Sequence, residues 1–248
     1  MFVTQEQSSL DYRAIFSFWW PLLVVWLFMT IEQPALAAAL TRMPNATVNL
    51  AALWVAFSLA LFIESPVIQM LSAATALGSS RRRYRELLLL LCIVGGGTTV
   101  LHLVLSVEPV FSFVARRLLD VPPEVVPRAR EAFIVLIPFS AAVGFRRLWQ
   151  GVLIRLGKTR MVSFSMIGRL LIMAGVLLLG VTVYRESPRG HIWASTALIA
   201  GILAGALFAW LLLRLQGLRE LPEDDANGSI GFRQLTRFYI PLASTSII

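Results

Sequence analysis

Ala14–Leu40 reads AIFSFWWPLLVVWLFMTIEQPALAAAL, a long apolar run with Glu32-Gln33-Pro34 set inside it. A run of this length can cross a bilayer, which takes about 20 apolar residues. A carboxylate at the centre of such a helix costs roughly 2.5–3.5 kcal/mol on insertion scales. Pro34 removes a backbone donor and crowds the preceding turn, so the helix is expected to bend or open there. Freed carbonyls, a carboxyl and an amide would then lie together at membrane depth. Irregular backbone is tolerated at that depth only where it is buried in protein or lines a wet cavity. The stretch therefore reads as part of a transport pathway.

Composition agrees with a bilayer partner. The 248 residues are 57% hydrophobic and 15% charged, with a mean hydropathy of +0.75, whereas soluble domains carry about 25% charged residues. The net charge of +8 would hint at nucleic acid in a soluble protein. Here the basic residues gather in short loops between apolar runs, so no nucleic-acid partner is expected. Cys92 is the only cysteine and lies within an apolar run, which points to neither a disulfide nor a metal site. The polar N-terminus and the length of the first run argue against a cleavable signal peptide.

The pattern predicts an all-α, polytopic protein with six spans near 14–40, 48–77, 87–107, 131–154, 161–183 and 192–214. Together these make a six-helix lobe over 1–217, followed by a polar linker over 218–231 and the start of a seventh helix over 232–248. Arg81, Arg82, Arg83 and Arg85 fall between spans two and three. Arg155, Lys158 and Arg160 fall between four and five. Arg214, Arg219, Arg233 and Arg237 flank the linker, and Arg13 precedes span one, giving twelve basic residues on that side. The other side holds seven, namely Arg42, Arg116, Arg117, Arg128, Arg130, Arg185 and Arg189. The bias predicts a cytoplasmic N-terminus, a cytoplasmic linker and an outer three–four loop with a short interfacial helix. The compact loops suggest a bacterial inner membrane.

An internal repeat adds to this. Tyr12-Arg13-Ala14-Ile15-Phe16-Ser17-Phe18-Trp19-Trp20-Pro21-Leu22 aligns with Phe232-Arg233-Gln234-Leu235-Thr236-Arg237-Phe238-Tyr239-Ile240-Pro241-Leu242. Two apolar helix starts can look alike by chance. Read as a true repeat, segment seven restarts the unit that segment one began. Six helices per unit would relate the halves by an axis along the membrane normal. A second six-helix lobe is then expected beyond Ile248.

Polar residues within the spans are the candidate site. Glu64 precedes Pro66 by two residues, as Glu32 precedes Pro34. Two such carboxyls on neighbouring helices suggest one site that handles a coupling proton or cation; the alternative is a structural carboxyl. Arg146 and Arg147 lie in span four, on the order of 10 Å from its basic end. They either snorkel to the interface, bind an anion, or pair with Glu32 or Glu64. Gln150 shares the face of Arg146, and Gln33 and Gln69 are further polar candidates for substrate contact. Arg169 is nearer a basic loop and reads as a snorkelling residue. His102 is more readily a packing residue than a proton relay. Gly95-Gly96-Gly97 and Gly201 with Gly205 are expected to bring helices close. No HExxH, GxSxG or Walker pattern occurs, and no enzyme, metal or cofactor is expected.

Several stretches resemble the progressive ankylosis protein family. They are Ser17-Phe18-Trp19-Trp20-Pro21-Leu22, Glu32-Gln33, Ala56-Phe57-Ser58-Leu59, Pro66, Ser80-Arg81-Arg82-Arg83, Arg130-Glu131-Ala132-Phe133 and Gln150-Gly151-Val152-Leu153-Ile154-Arg155-Leu156-Gly157-Lys158-Thr159. The last is also similar to the four–five connection of multidrug and toxin extrusion (MATE) transporters, the wider group. The resemblance implies a twelve-helix exporter of two lobes around a central cavity that opens alternately inward and outward. It implies an anionic substrate too, since animal members are associated with export of pyrophosphate, ATP or citrate. Many MATE exporters couple through an aspartate in the first helix; this chain has none there, and Glu32 would stand in for it. Two other readings remain open, a lipid-linked oligosaccharide flippase of the same superfamily and a non-transporting scaffold or fragment.

Overall fold

The computed structural model describes residues 12–223 and 232–245, and among these every regular element is helical. Helix α1 is Tyr12–Leu40, α2 Ala46–Ile68, α3 Met70–Leu77 and α4 Arg81–Ser106. Helix α5 is Glu108–Phe113 and runs into a π-helical turn, Val114–Leu118. Then follow α6 Val126–Val135, α7 Phe139–Arg155, α8 Thr159–Val183, α9 Gly190–Gln216 and α10 Phe232–Ser244. Among the described residues, six stretches are long and apolar enough to cross a membrane: α1, α2 with α3, α4, α6 with α7, α8 and α9. Their outward faces carry leucine, isoleucine and phenylalanine, such as Leu89, Ile93, Phe164 and Leu171, all exposed. Such side chains face lipid at no desolvation penalty.

Helix ends follow local chemistry. Helix α4 starts at Arg81, well ahead of the apolar run. Ser80 caps it by accepting from the Arg83 N–H at 3.3 Å, and the arginines extend the helix past the hydrocarbon. Asn45 closes the turn between α1 and α2 with a φ of 53°, a left-handed conformation that asparagine tolerates.

Spans two and four are both interrupted near a proline. Pro66 has no N–H to give the Phe62 carbonyl, and the Ser65 hydroxyl donates to it instead at 2.9 Å. The helix then breaks at Gln69. Pro138 similarly separates α6 from α7. Helix α1, by contrast, passes through Pro21 and Pro34 unbroken, so the opening expected at Pro34 does not occur. Pro34 is on an exposed face of the helix. The carbonyl of Pro21 is served from α8, where the Ser163 hydroxyl donates at 2.7 Å.

The aligned stretches from Tyr12 and from Phe232 are both helical, in α1 and α10, and each helix encloses its aligned proline, Pro21 or Pro241. Leu235 and Tyr239 bury α10 against α2 and α4, and the Tyr239 hydroxyl donates to the Pro66 carbonyl at the α2 break. Of the linker, residues 224–231 lie outside the described residues, as do 1–11 and 246–248. Its described part is tied to the head of α4: the Arg81 N–H donates to Pro222 O at 2.9 Å and Arg81 Nε to Leu218 O at 3.1 Å.

Two apolar clusters form the interior. One includes Leu53, Ile63, Phe133, Val143, Met173 and Ile202. The other, toward the basic loops, includes Val67, Leu91, Leu148, Val162 and Tyr239. The charged residues of the spans fall between them in sequence: Glu64 between Ile63 and Val67, Arg146 and Arg147 between Val143 and Leu148, Arg169 between Val162 and Met173.

Candidate functional site

Beside the first cluster, which contributes Leu36, Val143 and Ile202 to its wall, is a cavity of about 350 Å³. Glu32 and Gln33 of α1, Glu64 of α2, Arg146 and Arg147 of α7 and Arg169 of α8 all line it, among apolar side chains such as Trp26, Phe57 and Phe139. Glu32, Glu64, Arg146 and Arg169 are each buried to within 4–6% of full enclosure. Gln33 and Trp26 are exposed and form the rim.

Arg169 reaches across to α1, where its Nη2 donates to both carboxylate oxygens of Glu32. Arg169 is thus a buried ion-pair partner and not a snorkelling residue. Its closeness to the basic loop along the helix says nothing of which way the side chain turns. Glu32 is thereby engaged. Glu64 is not, for its Oε2 is buried with no hydrogen-bond partner among the described residues. Arg146 and Arg147 likewise have an unpartnered buried Nε. Three guanidinium groups against two carboxylates leave the wall one positive charge in excess.

The other polar candidates lie off this wall. Gln150 is buried one turn beyond Arg146, and its amide donates to the Ser165 hydroxyl at 3.2 Å. Gln69 stands at the break between α2 and α3 and does not line the cavity. His102 Nε2 lies 2.9 Å from Phe133 O, and the ring stacks on that of Phe133 with centroids 3.9 Å apart. Since a carbonyl only accepts, His102 is the donor, a packing role.

Close helix approach makes room for the guanidinium stems. A Cβ on Gly205 of α9 would lie 3.2 Å from Arg169 Cβ and 3.3 Å from Arg146 Cδ. Of Gly95-Gly96-Gly97 only Gly95 packs, since nothing lies near Gly96 or Gly97. That corrects the expectation for the triplet: a run of three turns its members to different sides of a helix. Gly205→Leu should lower the thermal midpoint through overpacking of about 1–3 kcal/mol, while Gly175→Leu, in open space, should not lower it. Equal behaviour of the two variants would refute this packing.

The profile of the Progressive ankylosis protein (ANKH) family matches residues 4–214. The chain belongs to that family. No curated protein matches the sequence of this ANKH-family chain. Two solved structures share its fold. One is an outward-facing multidrug resistance MATE family transporter of the MOP superfamily, with a TM-score of 0.62 and 17% identity over 95% of this chain and 52% of that one. The other is a MOP superfamily transporter from Pyrococcus furiosus, with a TM-score of 0.63 and the same identity and coverage. The ANKH-family chain therefore spans about half the length of these transporters and has the six-helix lobe architecture of the MATE fold.

Proposed function

We propose that this chain is one lobe of a secondary active transporter that exports a small organic or phosphorylated anion by alternating access. The observation that carries the reading is the arginine excess on a buried wall. Intramembrane guanidinium groups are expensive and mark substrate or ion pathways. Arg169 is neutralised by Glu32, whereas Arg146 and Arg147 form no ion pair among the described residues and have donors to spare. A carboxylate or phosphate would meet both arginines in a low-dielectric setting, where charge-assisted hydrogen bonds are strongest. Gln33 at the rim would contact substrate on entry, and Glu64 would handle a coupling proton or cation. Glu32 would hold Arg169 in place and tune the wall. Gln150 and Gln69 are assigned no contact.

For the Pyrococcus furiosus transporter, reverse polarity of the binding pocket suggests a different function. Pocket charge thus varies on this fold, and here its sign favours anions. The basic bias supports a cytoplasmic N-terminus and the compact loops a bacterial inner membrane, with a second six-helix lobe completing the pathway.

The test is uptake of labelled citrate, pyrophosphate and ATP by proteoliposomes holding the gene product that contains this chain. At least one anion should be moved, and Arg146→Gln with Arg147→Gln should reduce its uptake at least about tenfold, since buried charged contacts are worth about 2–5 kcal/mol. Translocation of a lipid-linked pyrophosphate with no uptake of soluble anions would identify a flippase. Transport of organic cations alone would overturn the anion reading.

A further inference from the structure

A second polar cluster lies far from the cavity, at the ends of the spans opposite the basic loops. Asn49 of α2, Glu131 of α6 and His191 of α9 meet there. Asn49 Nδ2 donates to Pro44 O at 2.8 Å and to Pro188 O at 3.2 Å. Both partners are carbonyls, so the nitrogen of the amide must face them and its Oδ1 must face the other way. That Oδ1 lies 2.8 Å from His191 Nδ1. An amide oxygen only accepts, so Nδ1 carries a hydrogen.

The consequence falls on the other ring nitrogen. A neutral imidazole has a single N–H, which leaves Nε2 as a bare lone pair. Nε2 lies 3.0 Å from Glu131 Oε2. A bare nitrogen against an ionised carboxylate would be two acceptors with no hydrogen between them. The contact requires one further proton, on the ring or on the carboxyl. We propose that His191 and Glu131 form a proton-binding site, separate from the charged cavity, that fastens spans two, four and six to one another at this end.

The surroundings suit such a site. His191 and Asn49 are fully buried, so the polar bonds are sheltered. The Glu131 side chain is 45% exposed and gives the proton a route to water. The charged groups acting on the ring are Glu131 and Arg128 from α6 and Arg189 at the head of α9, while α2 presents the neutral Asn49. Burial above all, and then the two arginines, oppose a cationic ring, so the added proton depends on Glu131. Gly190 permits the approach, since a Cβ there would lie 3.1 Å from Asn49 Nδ2 and 3.0 Å from Leu40 Cδ2. In acid the joint is closed; as the proton leaves, the lone pairs repel and Glu131 swings outward.

The chain has only two histidines, His102 and His191, which makes histidine-selective ¹⁵N labelling of the full chain in nanodiscs tractable. One histidine should keep a protonated Nδ1 throughout, while its Nε2 passes from protonated to bare within about pH 5–8, the imidazole range. In Glu131→Gln the side-chain amide can donate to a bare Nε2, so that transition should vanish. Any pH dependence of the thermal midpoint over the same range should vanish with it. Glu131 is part-exposed, so the variant should fold. An Nε2 transition untouched by Glu131→Gln, or a His191 ring bare at Nδ1, would overturn the proposal. Neither readout depends on transport, so the site stands or falls apart from the function proposed above.

Discussion

Arg169→Met is expected to destabilise the protein by about 3–5 kcal/mol, the loss seen when one partner of a buried ion pair is removed. Arg169 and Glu32 are only 4% and 6% exposed, and both oxygens of the carboxylate take their hydrogen bonds from the one Nη2. Removing the guanidinium leaves the buried Glu32 carboxylate without the donor that holds both of its oxygens. Glu32→Gln should also destabilise, since it leaves Arg169 as an unneutralised cation beside Arg146. The double variant should recover most of the loss, because it removes both charges and their desolvation together. Unfolding of the four species in detergent, followed by thermal midpoint, completes the cycle. If the double loss equals the sum of the single losses, the pair is not coupled and the joint between α1 and α8 rests on apolar packing alone.

Much of the site was visible in the sequence for a simple reason. Charged residues within apolar runs stand out, and Glu32, Glu64, Arg146 and Arg147 were all found on that ground. Which of them meet was not visible. Arg169 and Glu32 are 137 positions apart, and no local pattern encodes the pairing; distance from the nearest basic loop suggested the wrong role. Gln150 illustrates the limit of helical spacing. Four residues beyond Arg146 gives the same face but a different depth, and at that depth Ser165 takes up the amide. Pro34 looked like Pro66, yet only span two breaks. The two prolines differ in setting: Pro66 is half-buried, with Tyr239 of α10 on its carbonyl, whereas Pro34 lies on an open face. The His191 joint escaped notice because Asn49, Glu131 and His191 are unremarkable singly. Their one shared sequence signal is position, each near the start of a span on the same side.

Glu64→Gln should separate coupling from binding. Glutamine keeps the size of the side chain and its capacity to accept and donate hydrogen bonds, but it cannot change charge. In the structure Glu64 forms no ion pair among the described residues, and one of its oxygens is buried without a partner. Arg146 and Arg147 act on it electrostatically without claiming it. A carboxyl in that setting is free to exchange a proton or meet a cation as the cavity opens and closes, a freedom that Glu32 lacks. If Glu64 is the coupling group, proteoliposomes carrying the variant should lose pH-driven accumulation of the anion and retain downhill flux to within about twofold, since uniform substrate binding is untouched. The thermal midpoint should fall far less than in Glu32→Gln, because no formed pair is broken. Retained pH-driven accumulation would remove Glu64 from coupling. Loss of downhill flux as well would make it a substrate-positioning group held against Arg146 and Arg147. The two glutamates look equivalent in the sequence, each two residues before a proline. It is the presence of Arg169 beside one of them, and no such partner beside the other, that predicts opposite outcomes for the same substitution.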